Sequence, residues 1–338
     1  MRTLQLLSRF TAVLVLMTGF AVHAQTASSF DKSSGGSGQA WPSQTIRIIV
    51  PFPPGGTTDQ VARLLQPYLQ QSLGVSVVVD NRGGASGAIG SGMAAKAPPD
   101  GNTFLLVFDT HGVNPSLIPN MPFDTLKDLA PIMLIGKSPM VIVAHPSFPY
   151  KTFTEVVRLA KAKPGEVTFG SIGSGSLAHL AMAMISGYAK VEITHIPYKG
   201  GGPLIINAIG GHVPLGVASL ALFSPHIQSG RLKAIGITSP RRHPQFPNVA
   251  TVAEQVMPGF EAEAWWGLLA PVNTPAPILT RMHAEVTKAL KTPALQQHLD
   301  QQSLAVTASS PDEFQRFLVN EVERWARVVR DNKIKPGE

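Results

Sequence analysis

The sequence predicts an α/β protein built on two mainly parallel sheets with helices on both faces. Runs of β-branched residues alternate with helical periods in the order strand, helix, strand, helix, strand, an order that requires crossover connections and therefore parallel strands. The alternation breaks once, near Pro139, and then starts a second cycle. A length of 338 residues allows about two domains, each able to bury its own core. With 44% hydrophobic and 14% charged residues the chain is globular in composition.

The first cycle opens on 45–50, rich in Ile and Val and stopped by Pro51, which suits a buried strand. From Asp59, apolar residues at Val61, Leu64, Leu65, Tyr68 and Leu69 follow the helical period, with Thr57 or Thr58 as cap, and Pro67 is expected to kink or shorten this helix. Strands are predicted at 75–79 and 103–108, with a Gly-rich turn at 83–90 and a short helix at 91–97 between them. In the second cycle a strand is predicted at 140–144, and Thr152-x-x-Glu155 is a capping box opening a helix to 161. A strand at 167–171 turns through Gly173 to Gly175 into a helix from 176 to about 188. A helix at 204–209 and strands at 215–219 and 232–238 follow, and 265–270 reads as a strand returning to the first domain. Two helices close the chain. One is capped at Thr274, and the other has Ser310 as cap, Pro311 at its first position and Glu313 completing the box, with Phe314, Phe317, Leu318, Trp325 and Val328 on one face.

Location is written in the first residues. Arg2 and Arg9 precede the apolar run 10–20, and Val22-His23-Ala24 supplies the small residue at a cut, so 1–24 reads as a secretory signal peptide. A membrane span needs about 20 apolar residues, more than this run has. Segment 25–41, rich in Ser and Gly, reads as a flexible linker, with folding starting near Trp41. The mature protein is expected outside the cytoplasm.

Composition and motifs exclude much chemistry. Cysteine is absent, which removes disulfides, thiolate metal sites and Cys nucleophiles. The 28 Lys plus Arg against 21 Asp plus Glu include no basic run longer than Arg241-Arg242, and only four Trp and four Tyr are available to stack on bases, so no nucleic-acid partner is expected. There is no Walker A loop, no G-x-S-x-G, no H-E-x-x-H and no EF-hand loop, so neither a metal nor a cofactor is expected. Gly173 to Ala178 fits G-x-G-x-x-A with Glu192 beyond it, but in the second cycle rather than the first, where a dinucleotide site belongs. His111, His179 and His195 each lie near a loop or helix start, where a hydrogen-bonding role is commoner than a base. Trp265-Trp266 reads as core or hinge packing.

What remains is three Gly-rich strand-to-helix turns: Pro53-Pro54-Gly55-Gly56-Thr57-Thr58-Asp59, Gly83-Gly84-Ala85-Ser86-Gly87 and Gly170-Ser171-Ile172-Gly173-Ser174-Gly175-Ser176. Each aims backbone N–H groups and a positive helix end at the mouth of a sheet, a geometry that binds anions without Lys or Arg. One such loop is explained by tight turning alone, but three at equivalent positions point to a cleft for an anion. Asp59 suits the positive first turn of its helix.

Several blocks read together resemble the Bug family of periplasmic solute-binding proteins, which serve tripartite tricarboxylate transporters. They are Trp41-Pro42 leading to Ile48 through Asp59, Val79-Asp80-Asn81-Arg82-Gly83-Gly84-Ala85-Ser86-Gly87, Ala97-Pro98-Pro99-Asp100-Gly101, Asn114-Pro115-Ser116-Leu117, Thr168-Phe169-Gly170-Ser171, His195-Ile196-Pro197-Tyr198-Lys199-Gly200-Gly201 and Pro258-Gly259-Phe260. The resemblance spans nearly the whole mature chain. It implies a two-lobed type II periplasmic binding protein, two doubly wound sheets joined by a hinge, that closes on an organic carboxylate and is not an enzyme. Lobe 1 is then 42–138 with 267–338, lobe 2 is 139–266, and hinges lie near 135–140 and 265–270. By position it implies ligand contacts from Phe52, Gly55, Gly56, Asp59 and Ser86 on one jaw, and from Ser171, Ser174, Gly175, Ser176, His179 and Tyr198 on the other. Thr110 and His111 after the third strand are expected to face the cleft, as are Ala218 and Ser219. The partners implied are a small carboxylate and the membrane subunits of a transporter, with the receptor itself a monomer.

One departure stands out. After Gly210-Gly211-His212-Val213, members of the family usually carry an Asp and another four residues on, where this chain has Pro214 and Ala218. Without the second carboxylate beside Ser219 the cleft loses an acceptor for an ammonium, so the expected ligand is a di- or tricarboxylate without an amino group, aromatic dicarboxylates included. An α/β enzyme would need a nucleophile with a paired base, which the spacing does not support, and a sensor receptor would use the same chemistry with another membrane partner.

Overall fold

Strand β1 (Ile46–Val50) is a nearly fully buried β-branched run, and it pairs in parallel with β2 (Val77–Asn81) on one side and β3 (Thr103–Phe108) on the other. Helices α1 (Thr57–Leu73) and α2 (Ala88–Ala95) make the two crossovers. The sheet continues through β9 (Glu263–Pro271), antiparallel to β3, to the first half of β4 (Leu129–Ala144). The second half of β4 belongs to the other lobe, where it pairs antiparallel with β7 (Leu215–Ser219) and β8 (Lys233–Ile237). Beyond β7 lie the parallel strands β5 (Thr168–Ser171) and β6 (Thr194–Pro197). This is the two-lobed α/β architecture the sequence predicts, but the sheets expected to be mainly parallel are joined through antiparallel β9 and β4, because β4 and β9 run as a ribbon from one lobe into the other. It is seen in a computed structural model that describes residues 41–332 and 334. The signal peptide and nearly all of the linker expected in 1–41 lie outside the described residues; Trp41 does not, and it donates its indole N–H to the Gly101 carbonyl at 3.0 Å and packs on Phe104. Among the described residues no helix is long and apolar enough to cross a membrane.

The second lobe is completed by α4 (Phe153–Ala162), α5 (Leu177–Ala189), α6 (Gly201–Ile209), α7 (Leu220–Gln228) and the single turn α8 (Val252–Gln255). In the first lobe α3 (Thr110–Leu117) follows β3, and α9 (Ala276–Leu290), α10 (Pro293–Gln301), the short β10 (Ala305–Val306) and α11 (Pro311–Asp331) close the chain. The box at Ser310 and Glu313 forms as read, each side chain accepting the other residue's N–H.

Several elements differ from the reading. Pro67 does not shorten α1, which runs 17 residues with Pro67 on its solvent face while Val61, Leu65, Leu69 and Leu73 bury the opposite stripe. The cap of α1 is Gly56, and Thr57 and Thr58 are buried inside its first turn. The second strand starts two residues late, and Thr274 is not a cap: its hydroxyl donates to the Pro271 carbonyl, and Pro275 precedes α9. The 129–139 half of β4 is a strand despite Pro131 and Pro139. The ladder shifts register just after Pro131, and Pro139 stands where β4 leaves β9 for β7, positions at which a missing N–H costs little. Here the chain crosses between lobes as a paired ribbon, with Lys137 opposite Trp265 and Ser138 opposite Ala264.

Candidate functional site

The C-terminal ends of the parallel strands in both sheets face each other, and the loops leaving them form the site. From the first lobe come the loop after β1 and the tight turn after β2. From the second come the loops after β5 and β6. Between them lies a cavity of about 640 Å³ that includes Phe52, Gly84, Ser86, Ser174, Tyr198 and Lys199 among its walls. Beside it a gap of about 20 Å³, room for roughly one water, is walled largely by Phe52, Phe108, Ile172, Ala218 and Leu222, with Gly56 and Ser219 at its edge.

The jaws touch. Ser86 donates its hydroxyl to the Ser174 carbonyl at 2.7 Å. It can do so because Ala85 and Ser86 both hold a left-handed backbone, φ 46° and 50°, which costs about 1 to 2 kcal/mol per residue. Asn114 supports that conformation by donating its amide to the Ser86 carbonyl at 3.0 Å. On the far side of the cavity glycine meets glycine: a Cβ on Gly201 would lie 3.2 Å from Gly56 Cα, and one on Gly202 only 2.7 Å from the Pro54 carbonyl oxygen.

The predicted residues divide into those at the cleft and those behind it. Phe52, Ser86, Ser174 and Tyr198 line the cavity, Gly56, Ala218 and Ser219 the gap, and Gly55 lies next to Gly202 at the contact between jaws. Asp59 is buried and committed to its own loop, accepting the Gly55 N–H at 3.0 Å and the Arg63 guanidinium at 3.0 Å. Burial opposes its ionisation, but these bonds and Asn81 outweigh that and hold the carboxyl below its usual value. Ser171, Ser176 and His179 form a buried knot under the loop rather than a surface. Ser176 caps α5 by accepting the His179 N–H, Gly175 donates its N–H to His179 Nδ1, and Gly175 packs against Leu117. The amides expected to form a third anion cradle are thus partly satisfied by the loop itself. Thr110 and His111 are both buried and stand outside the walls of the cavity and the gap, with the His111 ring stacked on Phe123. Burial drives the His111 pKa down to about 3, so the ring is neutral.

One pair has the look of a nucleophile and a base. Ser171 Oγ lies 2.7 Å from His195 Nε2. Burial first and neighbouring His179 second lower His195 to about 3, and the two rings stack at 4.2 Å. Ser171 is fully buried and also donates to the Gly173 carbonyl, so this pair ties the loop together and offers no nucleophile to the cavity.

Sequence reasoning does not reach Lys199 and Ile172 in the cavity wall, Phe108 in the wall of the gap, or Asn114, which holds the Ser86 carbonyl. Lys199 adjoins Tyr198, and Phe108 ends a strand at the cleft, so both carry a positional signal; Asn114 acts only through a tertiary contact.

Over residues 61–334 the sequence matches the family described as tripartite tricarboxylate transporter family receptor. It is 38% identical over 301 residues to Protein BugT of Bordetella pertussis, covering 88% of this chain and 92% of BugT. The fold is similar to that of Rpa4515 from R. palustris, solved with adipate, at a TM-score of 0.84 and 31% identity over 88% of this chain and 99% of the other. MatC from Rhodopseudomonas palustris, solved with bound malate, gives a TM-score of 0.81 and 30% identity over 86% of this chain and 100% of MatC.

Proposed function

The chain belongs to the tripartite tricarboxylate transporter receptor family, and on that premise we propose that it is a periplasmic solute-binding protein that captures an organic carboxylate between its lobes for a membrane transporter of the tripartite tricarboxylate type. The observation that carries this reading is the cavity of about 640 Å³ held between loops of both lobes, whose walls among the described residues carry hydroxyls, loop amides and one ammonium but no carboxylate. Adipate and malate in Rpa4515 and MatC support a carboxylate ligand. The proposed ligand contacts are Phe52, Ser86, Ser174 and Tyr198, with Gly55 and Gly56 closing the entrance. Lobe 1 comprises 42–138 and 267–338, lobe 2 comprises 139–266, and a leader over 1–24 directs export. A ligand that bridges both jaws binds the closed arrangement better than any open one, and that difference in affinity draws the lobes together. The ligand leaves unchanged, as transport requires.

Thermal unfolding of the protein from Gln25 onward, against aliphatic, amino and aromatic carboxylates, tests the reading. An acid at about 100 times its dissociation constant adds about 2.7 kcal/mol of stability, and mass spectrometry recovers it intact. No shift with any acid, and none found in the denatured protein, overturns the carboxylate assignment. Ala218 carries the finer claim that the ligand lacks an amino group, because this buried position in the gap offers no acceptor for an ammonium. Ala218→Asp is expected to weaken binding of a dicarboxylate at least tenfold by charge repulsion, whereas Ala218→Ser, which adds bulk without charge, weakens it less. Equal or tighter binding by the Asp variant rejects the claim.

A further inference from the structure

We propose that Lys199 holds the second, distal carboxylate of the bound acid and so selects dianions over monoanions; this rests on the carboxylate reading of the cavity given above. Among the described residues lining the cavity, Lys199 alone is charged. The neighbouring cations are already engaged: Arg63 with Asp59 at 3.0 Å and Arg82 with Asp80 at 2.8 Å. Lys199 has no carboxylate within ion-pair distance among the described residues, and its side chain is exposed at the cavity wall.

Its backbone, in contrast, is fixed on both sides. Tyr198 donates its N–H to the Ser171 carbonyl at 3.0 Å, and its ring packs so closely over Gly170 that a Cβ there would lie 2.8 Å from it. Gly200, at φ 117°, packs on Pro53 of the opposite jaw. A long stem on a fixed root suits a charge that must meet carboxylates at different distances from a common first anchor. That first anchor is the Tyr198 hydroxyl with the backbone amides of the loops beside it, since the Ser86 proton is committed to the Ser174 carbonyl; such a neutral donor set holds one carboxylate without discriminating mono- from diacids. The ammonium supplies the discrimination, because a monoacid places an alkyl end where Lys199 offers a hydrated charge.

The experiment compares matched acids: succinate, adipate and suberate against butyrate, hexanoate and octanoate, by calorimetry at low and at about physiological salt. Wild type is expected to favour the diacid of the best-fitting length. Lys199→Gln should lower the diacid-to-monoacid affinity ratio about tenfold, Lys199→Glu should lower it further, and Lys199→Arg should retain most of it. The salt dependence of diacid binding should shrink in the Gln variant. A ratio unchanged in Lys199→Gln and Lys199→Glu, with acids still binding, overturns this proposal and leaves the carboxylate reading standing. Failure of wild type to bind any carboxylate overturns that reading, and the role of Lys199 with it.

Discussion

Gly202→Val is expected to lower ligand affinity by about 10- to 100-fold while both lobes remain folded. Gly202 is the second residue of α6, and even a Cβ at this position would lie 2.7 Å from the Pro54 carbonyl of the opposite jaw. That carbonyl is backbone and cannot rotate away, so the two loops must part. Overpacking of this kind costs about 1 to 3 kcal/mol, and the cost falls on the closed arrangement alone, because the obstacle lies between jaws and not within a lobe. Gly202→Ala should give a smaller loss in the same direction. Gly187→Ala serves as the control: it lies in α5 with nothing within 4 Å of its Cβ, so it should leave affinity unchanged and stability equal or slightly higher. Calorimetric affinity with denaturation of the unliganded protein separates the outcomes. Unchanged affinity in Gly202→Val would mean that ligand binding does not require this contact between jaws.

The contrast between Gly202 and the knot around Ser171 also shows where sequence reading reaches and where it stops. Elements whose pattern is local are legible: the β-branched run of β1, the capping box at Ser310, the cap at Thr152, whose Glu155 accepts the Lys151 N–H, and the all-buried β3 follow from residue type and period. Helix α3 was not, since Thr110–Leu117 contains Gly112 and Pro115 and packs along α11. The first half of β4 was hidden by Pro131, Gly136 and Pro139, which read as turns until the neighbouring strand β9 is in view. At the site the loops were legible because Gly, Ser and Pro mark strand-to-helix turns. Which of their polar groups remain available was not, because that depends on contacts the fold creates. Gly175 finds His179, Asp59 finds Gly55 and Arg63, and each pair removes groups that the sequence offered to a ligand. Lys199 is illegible for the opposite reason, since a lone exposed lysine carries no signal in sequence until the neighbouring arginines prove to be paired.

Replacing Asp109 by Asn is expected to change how stability responds to pH. Asp109 follows β3 at the cleft end of the sheet and is fully buried. Burial, and next the carboxylate of Glu321 on α11, raise its pKa well above the usual carboxylate value, and the amides of Thr110 and Leu177 offset this only in part. Around it, His111 on α3 is neutral, His179 lies on α5, and Glu321 accepts hydrogen bonds from the indoles of Trp265 and Trp325 with Arg324 at 3.6 Å. The folded chain therefore keeps a proton on Asp109 that the unfolded chain releases near its ordinary pKa of 3.8. The stabilising contribution is complete below that value and declines as pH rises through the folded-state pKa, at up to about 1.4 kcal/mol per pH unit. Asn has the shape of the protonated acid and cannot ionise. The stability of wild type relative to Asp109→Asn should thus fall as pH rises above the ordinary carboxylate value toward the raised folded-state pKa, read as midpoints of urea denaturation. Parallel pH profiles for the two proteins would show that Asp109 is ionised in the folded state, with a partner that compensates its burial.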